Sequence, residues 1–314
     1  MKTKIKLLVK SFFPLLFYFL VKLFSGQVNK NNWEKRVLIV FGGGVGDVVK
    51  RSVICNFLKK YLNEYEIYYL LPYRLKFPFA KEIFYFEYNK AKVNPFYFFK
   101  LTKKLREIGF SKIVILLPFW ENFLWILGKA INPEKLYVPL ETPPSSFEIF
   151  LNKIVSFFFD KKTFNLIRVP SFFDKNFSQK IFPSDVFKQA YFISQVIKDI
   201  KKEVELDENG ILPSIKVKTQ IYLEKDFEEN YFKKLESEFC LQKEKYCVIG
   251  LGSSASFKNW PPENFAKVAN YLSEKGFGIV LVGERESLAL AKDFEKAFQG
   301  LSLIHISEPT RQAE

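Results

Sequence analysis

The sequence predicts an α/β protein with doubly wound parallel sheets, and three observations carry that expectation. Lys35 to Phe41 is a β-branched and apolar run without polar alternation, the pattern of a strand buried on both faces. Gly42, Gly43, Gly44 and Gly46 follow, and the chain then reads as a helix with Val49, Val53, Phe57 and Leu58 on one face. The same strand, turn and helix recur from Tyr246, roughly two hundred residues on. In such folds ligands bind beyond the carboxyl ends of the strands, where glycines admit a close approach and helix starts offer unpaired N–H groups.

The first glycine turn excludes two phosphate-binding motifs. A dinucleotide fingerprint needs its last glycine one place beyond Asp47's neighbour Gly46, and no Gly-Lys-Ser/Thr follows for a Walker loop. What stands at the mouth of the turn is a carboxylate. Taken alone, Asp47 is either a helix-start acid held by the dipole and capping N–H groups or a group presented to a ligand.

Composition bounds the rest. The 314 residues suffice for two domains, and 48% hydrophobic with 18% aromatic residues lies far from the disordered range. Cys55, Cys240 and Cys247 stand in apolar surroundings without C-x-x-C spacing, which fits buried thiols in a reducing compartment. His305 is the single histidine, which argues against zinc sites built on histidine and His-dependent triads. The net charge of +14 gathers at the start, where residues 1–36 hold eight Lys/Arg against Glu34 alone. A basic excess suits a phosphate-bearing partner or an anionic surface, and equally serves solubility.

Along the chain, residues 5–24 are apolar but interrupted by Lys6, Lys10 and Lys22. The uninterrupted part, Phe12 to Val21, is shorter than the ~20 residues a spanning helix needs, and no small-residue cleavage site follows. The segment is expected on an anionic membrane surface, with packing against the protein itself as the other reading. Glu66 to Leu71 reads as the next strand, closed by Pro72. Asn94-Pro95 opens a helix that runs through Ile108 and ends at Gly109. Ile113 to Leu117 and Leu136 to Val138 continue the alternation of strand and helix. Residues 139–183 are rich in Phe, Pro and Ser, and their Phe157 to Phe159 and Phe172-Phe173 runs read as core or as a lipid-facing surface. Ser184-Asp185 caps a helix to about Val204, Leu206 to Pro213 looks like a linker, and Lys225 to Phe239 is an amphipathic helix.

The second unit begins with the strand Tyr246 to Leu251 and a turn from Gly252 to Pro262. Its helix carries Phe265, Val268, Ala269 and Leu272 on one face, and Gly278 to Val282 is the next strand. Ser253, Ser254 and Lys258 at a strand's carboxyl end suit a phosphate group, or form an ordinary polar loop. Glu284 or Glu286, beyond the adjacent strand, would accept hydrogen bonds from ribose hydroxyls or simply start a helix.

The two turns together resemble glycosyltransferase family 9, the ADP-heptose:lipopolysaccharide heptosyltransferases. The likeness rests on Val37 to Val40 with Gly46-Asp47-Val48-Val49, on Ser253-Ser254, Lys258 and Trp260-Pro261-Pro262-Glu263-Asn264-Phe265-Ala266, and more weakly on Val186 to Phe192. It implies a GT-B fold, two Rossmann-like domains with parallel sheets facing a cleft. It implies inverting transfer of a sugar from a nucleotide-diphosphate donor, ADP-heptose by the family's usage, to a lipopolysaccharide-core or related surface-glycan acceptor. No metal and no cofactor is implied beyond the nucleotide-sugar substrate. Asp47 would then be the base that deprotonates the acceptor, with Ser253, Ser254 and Lys258 on the donor diphosphate. The triple glycine departs from the family's loop and puts acceptor specificity in doubt. The protein would lie on the cytoplasmic face of a bacterial plasma membrane, peripherally, with a lipid-linked glycan acceptor. The competing function is a non-catalytic nucleotide- or nucleic-acid-binding protein, disfavoured because the basic charge gathers at the apolar N-terminus; a family member using another sugar donor is a further alternative.

Leu301 to Arg311 resembles the in-frame translation of a transposon-end sequencing adapter, and the family's later Asp-x-Gly-x-x-His run is not present. The expected organisation is a basic apolar segment 1–35, an acceptor domain 36–215, an incomplete nucleotide-sugar domain 216–300 and an artefact tail 301–314. A second sheet cut short would keep an unpaired edge, so the chain as written is expected to be inactive.

Overall fold

The computed structural model describes residues 16–21, 28–31, 33–116, 122–141, 163–169, 185–213, 233, 236–237, 245–252, 259–283, 287–300 and 303–307. The chain forms two compact units, Met1–Leu223 and Glu224–Glu314, a division eight residues beyond the expected 215.

In the first unit six strands make one sheet: β1 Arg36–Phe41, β2 Glu66–Leu71, β3 Glu82–Tyr85, β4 Lys112–Leu116, β5 Lys135–Glu141 and β6 Phe164–Val169. Their order is β3-β2-β1-β4-β5-β6 and every pairing is parallel. β1 lies at the centre, with Val37 opposite Ile67 of β2 and Lys112 of β4. Val37 through Phe41 are wholly buried, as the unbroken apolar run predicts.

The alternating side chains of β1 feed two cores. Val37, Ile39 and Phe41 pack with α1 Val45–Arg51, α2 Ile54–Tyr61 and α6 Asp185–Ile200. Leu38 and Val40 face the layer of α3 Tyr88–Val93, α4 Pro95–Ile108 and α5 Asn122–Ile131. α4 starts where expected: the Asn94 side chain accepts from the Tyr97 N–H, Pro95 takes the first turn, and Gly109 closes the helix. Residues 16–21 are helical, and Phe17, Tyr18 and Val21 are buried in this second core, with Phe17 5.8 Å from the Phe98 ring. The self-packing reading therefore holds for that face, while Leu16, Phe19 and Leu20 stay partly exposed.

Several expectations are corrected. The helix after the glycine turn is two helices, broken at Ser52-Val53. Ser52 N–H donates to Val49 O and Cys55 N–H to Ser52 O, three-residue bonds that tighten the chain and turn the buried stripe. Val48 is consequently buried, with Val49 half-buried. Leu206 to Pro213 is no solvated linker. Asp207 Oδ1 accepts from the Asn209 and Ile211 N–H groups, Leu212 N–H donates to Ser194 Oγ of α6, and Ile211 and Leu212 are buried. β3 and β6 went unforeseen because both are edge strands of mixed polarity. Cys55 is fully buried, which pushes its thiol up to about 12, and Cys247 is half-buried. Cys240, the 225–239 helix, and Phe157 to Phe159 and Phe172-Phe173 lie outside the described residues.

The second unit is a parallel sheet ordered β7-β8-β9, of β7 Tyr246–Gly250, β8 Gly278–Gly283 and β9 Leu303–Ser307. Helices α7 Pro262–Glu274 and α8 Leu288–Ala297 cover one face, burying Ile249, Ile279, Leu281, Ala266, Ala269 and Phe294. Phe265, Ala269 and Leu272 pack there, but Val268 is exposed and Ala266 takes its place. Val248 on β7 is 52% exposed, so the central-strand pattern of the first unit is not repeated. β9 comes from the tail set aside above: Leu303 to Ser307 pairs in parallel along the edge of β8 that β7 leaves open, so that edge is not left unpaired.

One polar cluster ties α6 to the sheet. Lys135 Nζ and the Tyr137 hydroxyl each reach Asp199 Oδ2 at 2.8 Å, and Lys202 reaches Oδ1 at 2.5 Å. Burial alone would raise the Asp199 pKa, but these three hydrogen bonds hold its carboxyl well below the usual carboxylate range. Because the folded pKa is depressed, the stabilisation is present above the unfolded value of about 3.9 and drains as pH falls below it. Asp199→Asn is expected to cost about 1–3 kcal/mol at neutral pH and to flatten the acid limb of stability. Urea melts of both proteins between pH 7 and pH 2 check this; parallel acid limbs would contradict it.

Candidate active site

β1 brings the chain to the point of the sheet where strand order reverses. β2 lies on one side and β4 on the other, so crossovers leave β1 and β4 in opposite directions; in open α/β sheets this is the place where ligands bind beyond the carboxyl ends. The glycine turn occupies that position. Gly42 is buried, and its carbonyl accepts from Nη1 of Arg51, a residue only 6% exposed. Gly43 has φ +83, and a Cβ there would stand 2.7 Å from Asp47 Oδ2.

Asp47 is the third residue of α1. Its Oδ2 accepts from the Gly44 N–H at 3.0 Å, while Gly44 O accepts from the N–H groups of Asp47 and Val48 at 3.0 and 3.1 Å. The capping role open to it from sequence is thus present. Oδ1 has a long 3.9 Å ion pair with Lys50, and the Asp47 side chain is 39% exposed. One carboxylate oxygen fixes the turn and the side chain still meets solvent. That combination lets an acid accept a proton from a hydroxyl delivered to that place.

In the second unit the two strand ends converge on Ser287. Leu251 N–H donates to Val282 O at 3.1 Å, and Ser287 Oγ occupies the space a side chain on Gly252 would need. A Cβ on Gly283 would stand 3.2 Å from both Leu251 O and Ser287 Cβ. The chain returns through Trp260, whose ring meets Phe265 edge-on at 4.8 Å, and Pro261 O accepts from the Asn264 N–H at 3.0 Å to start α7. Ser253, Ser254, Lys258, Glu284 and Glu286 all lie outside the described residues. Among the described residues no group of three or more His, Cys, Asp or Glu side chains gathers as metal ligands would.

Two residues packed against the turns carry no motif that would single them out. Arg51 looks like a basic residue in a helix's last turn, and only the fold shows its guanidinium turned inward onto the Gly42 carbonyl. Ser287 reads as a routine helix-start serine, and its contact with Gly252 joins residues 35 apart in sequence.

Residues 185–303 match the family model of glycosyltransferase family 9 (heptosyltransferase). Among solved structures, a family 9 glycosyltransferase from Veillonella parvula is similar with a TM-score of 0.56 and 16% identity, covering 89% of this chain and 70% of that one. The ADP-heptose lipopolysaccharide heptosyltransferase II of E. coli follows at 0.54 and 16%, covering 87% and 72%. An E. coli heptosyltransferase solved with ADP stands at 0.52 and 12%, covering 88% and 76%. No curated protein matches the chain in sequence. The likeness to these structures is one of fold alone, an α/β architecture of parallel sheets.

Two glycines of the turn should respond in opposite ways. Gly43→Ala meets both a positive φ and the Asp47 carboxylate, and is expected to cost about 1–2 kcal/mol while displacing Asp47. A Cβ on Gly46 meets nothing within 4 Å, so Gly46→Ala is expected to be neutral or to stabilise α1 by about 0.5 kcal/mol. Thermal melts of the two variants distinguish them, and equal losses would contradict the geometry.

Proposed function

We propose, for a chain whose residues 185–303 carry the glycosyltransferase family 9 match, that it moves a sugar from a nucleotide-diphosphate donor to a lipopolysaccharide-core or related surface-glycan acceptor. Heptose is the sugar the E. coli relatives' names suggest, with ADP as the leaving nucleotide. The observation that carries the reading is Asp47, a carboxylate pinned through one oxygen at the sheet's reversal point and 39% exposed.

The reaction is a single displacement with inversion. Asp47 takes the proton of the acceptor hydroxyl as its oxygen attacks the anomeric carbon, and the bond from that carbon to the diphosphate oxygen breaks. Ser253, Ser254 and Lys258 donate to the departing diphosphate, where negative charge develops, so that no metal is needed in this step. Arg51, through the Gly42 carbonyl, keeps the turn from shifting as the acceptor arrives. A lipid-linked acceptor fits a membrane-surface position on the cytoplasmic face. In residues 16–21 the exposed Leu16, Phe19 and Leu20 support that placement, and no helix among the described residues is long and apolar enough to cross a membrane.

Because the 314-residue chain as written is expected to be inactive, the test is a donor screen on the product of the full-length gene, comparing it with its Asp47→Asn variant. The amide cannot accept the proton, so kcat should fall roughly 100- to 10,000-fold with donor affinity little changed. Turnover retained in Asp47→Asn removes the base assignment; a wild type that binds no nucleotide sugar removes the transferase reading.

A further inference from the structure

We propose that the corner between α3 and α4 is a second contact with an anionic lipid bilayer, alongside residues 16–21. Phe96 is 84% exposed and Val93 72%, the two most exposed large apolar side chains among the described residues. Behind Phe96 on the same face of α4 come Lys100 and Lys103, one and two turns on, while Phe98, Thr102 and Leu105 point into the core. Residues 88–108 hold six Lys/Arg against Glu107 alone. Lys90 pairs with Glu87, Lys92 lies over Tyr88 and Lys104 over Phe84, so those charges have partners on the protein. Lys100 and Lys103 have no ion pair among the described residues.

The 5.8 Å contact of Phe17 with Phe98 seats the N-terminal helical turns on α4 itself. Both elements belong to one helical layer, and each carries exposed apolar side chains, Leu16, Phe19 and Leu20 on the first and Phe96 on the second. An exposed aromatic with lysines a turn behind it matches a bilayer interface: the ring enters the acyl boundary and the ammonium groups meet phosphate. Pairing with a second copy about a two-fold axis would set the same lysines face to face, which disfavours that occupant. The proposal deepens the membrane-surface reading of residues 5–24. Its test reads lipid binding and not sugar transfer, so either reading can fail without the other.

Sedimentation of the full chain with phosphatidylglycerol-containing and pure phosphatidylcholine vesicles at low salt provides the test. The wild type should pellet with the anionic vesicles, and the double variant Lys100→Gln, Lys103→Gln should bind roughly 30-fold more weakly, about fivefold per lysine. Phe96→Ser should weaken binding as well, and about 0.5 M salt should erase the lysine dependence. All three positions are exposed, so unchanged melting is expected and keeps the comparison fair. Wild-type binding by the variants, or no binding by the wild type, overturns the proposal. So does a wild type whose self-association or single-stranded nucleic-acid binding is what these substitutions remove.

Discussion

Burial of β1 on both faces is the constraint from which the first unit follows. Its five residues from Val37 to Phe41 offer no polar side chain, so each face needs a layer of helices and each flank a parallel neighbour. Parallel neighbours require crossovers, and crossovers leaving in opposite directions mark the place beyond the strand's end where such sheets bind ligands. Nothing about the reaction enters that reasoning. The glycine turn and Asp47 lie at that place because the hydrophobic strand leads there.

The local hydrogen bonds bear on the two readings of Asp47 without choosing between them. A helix-start acid with both oxygens capped would be a structural group, whereas here Oδ2 serves the Gly44 N–H and Oδ1 has a loose ion pair. The capping and catalytic readings are therefore not rivals. A residue that must hold one geometry through a proton transfer gains from being tied down by the backbone it helps to fold.

Much of this was legible in the sequence, for physical reasons that differ by element. β1, β2, β4 and β7 are short apolar runs closed by Gly or Pro, and α4 carries its own start and stop in Asn94-Pro95 and Gly109. β3 and β6 were not legible, because an edge strand buries too little for its composition to depart from a loop's; Leu166 of β6 is 41% exposed. The break at Ser52-Val53 hid because an apolar stripe tolerates a small rotation without changing residue type. At the site, the glycine spacing pointed to Asp47, but Arg51 depended on a guanidinium folding back onto a carbonyl nine residues earlier. Spacing signals survive in sequence; inward turns of long side chains do not.

The Asp207 turn has one further consequence. Polar, glycine-bearing strings like Leu206 to Gly210 are where a protease normally gains entry. Here the backbone is closed on the Asp207 carboxylate, Leu212 is bonded to Ser194, and the Tyr61 hydroxyl holds the Pro213 carbonyl at 3.1 Å. A nicking enzyme would find this stretch already folded shut, and the exit from the first unit is clamped on both sides as far as Pro213.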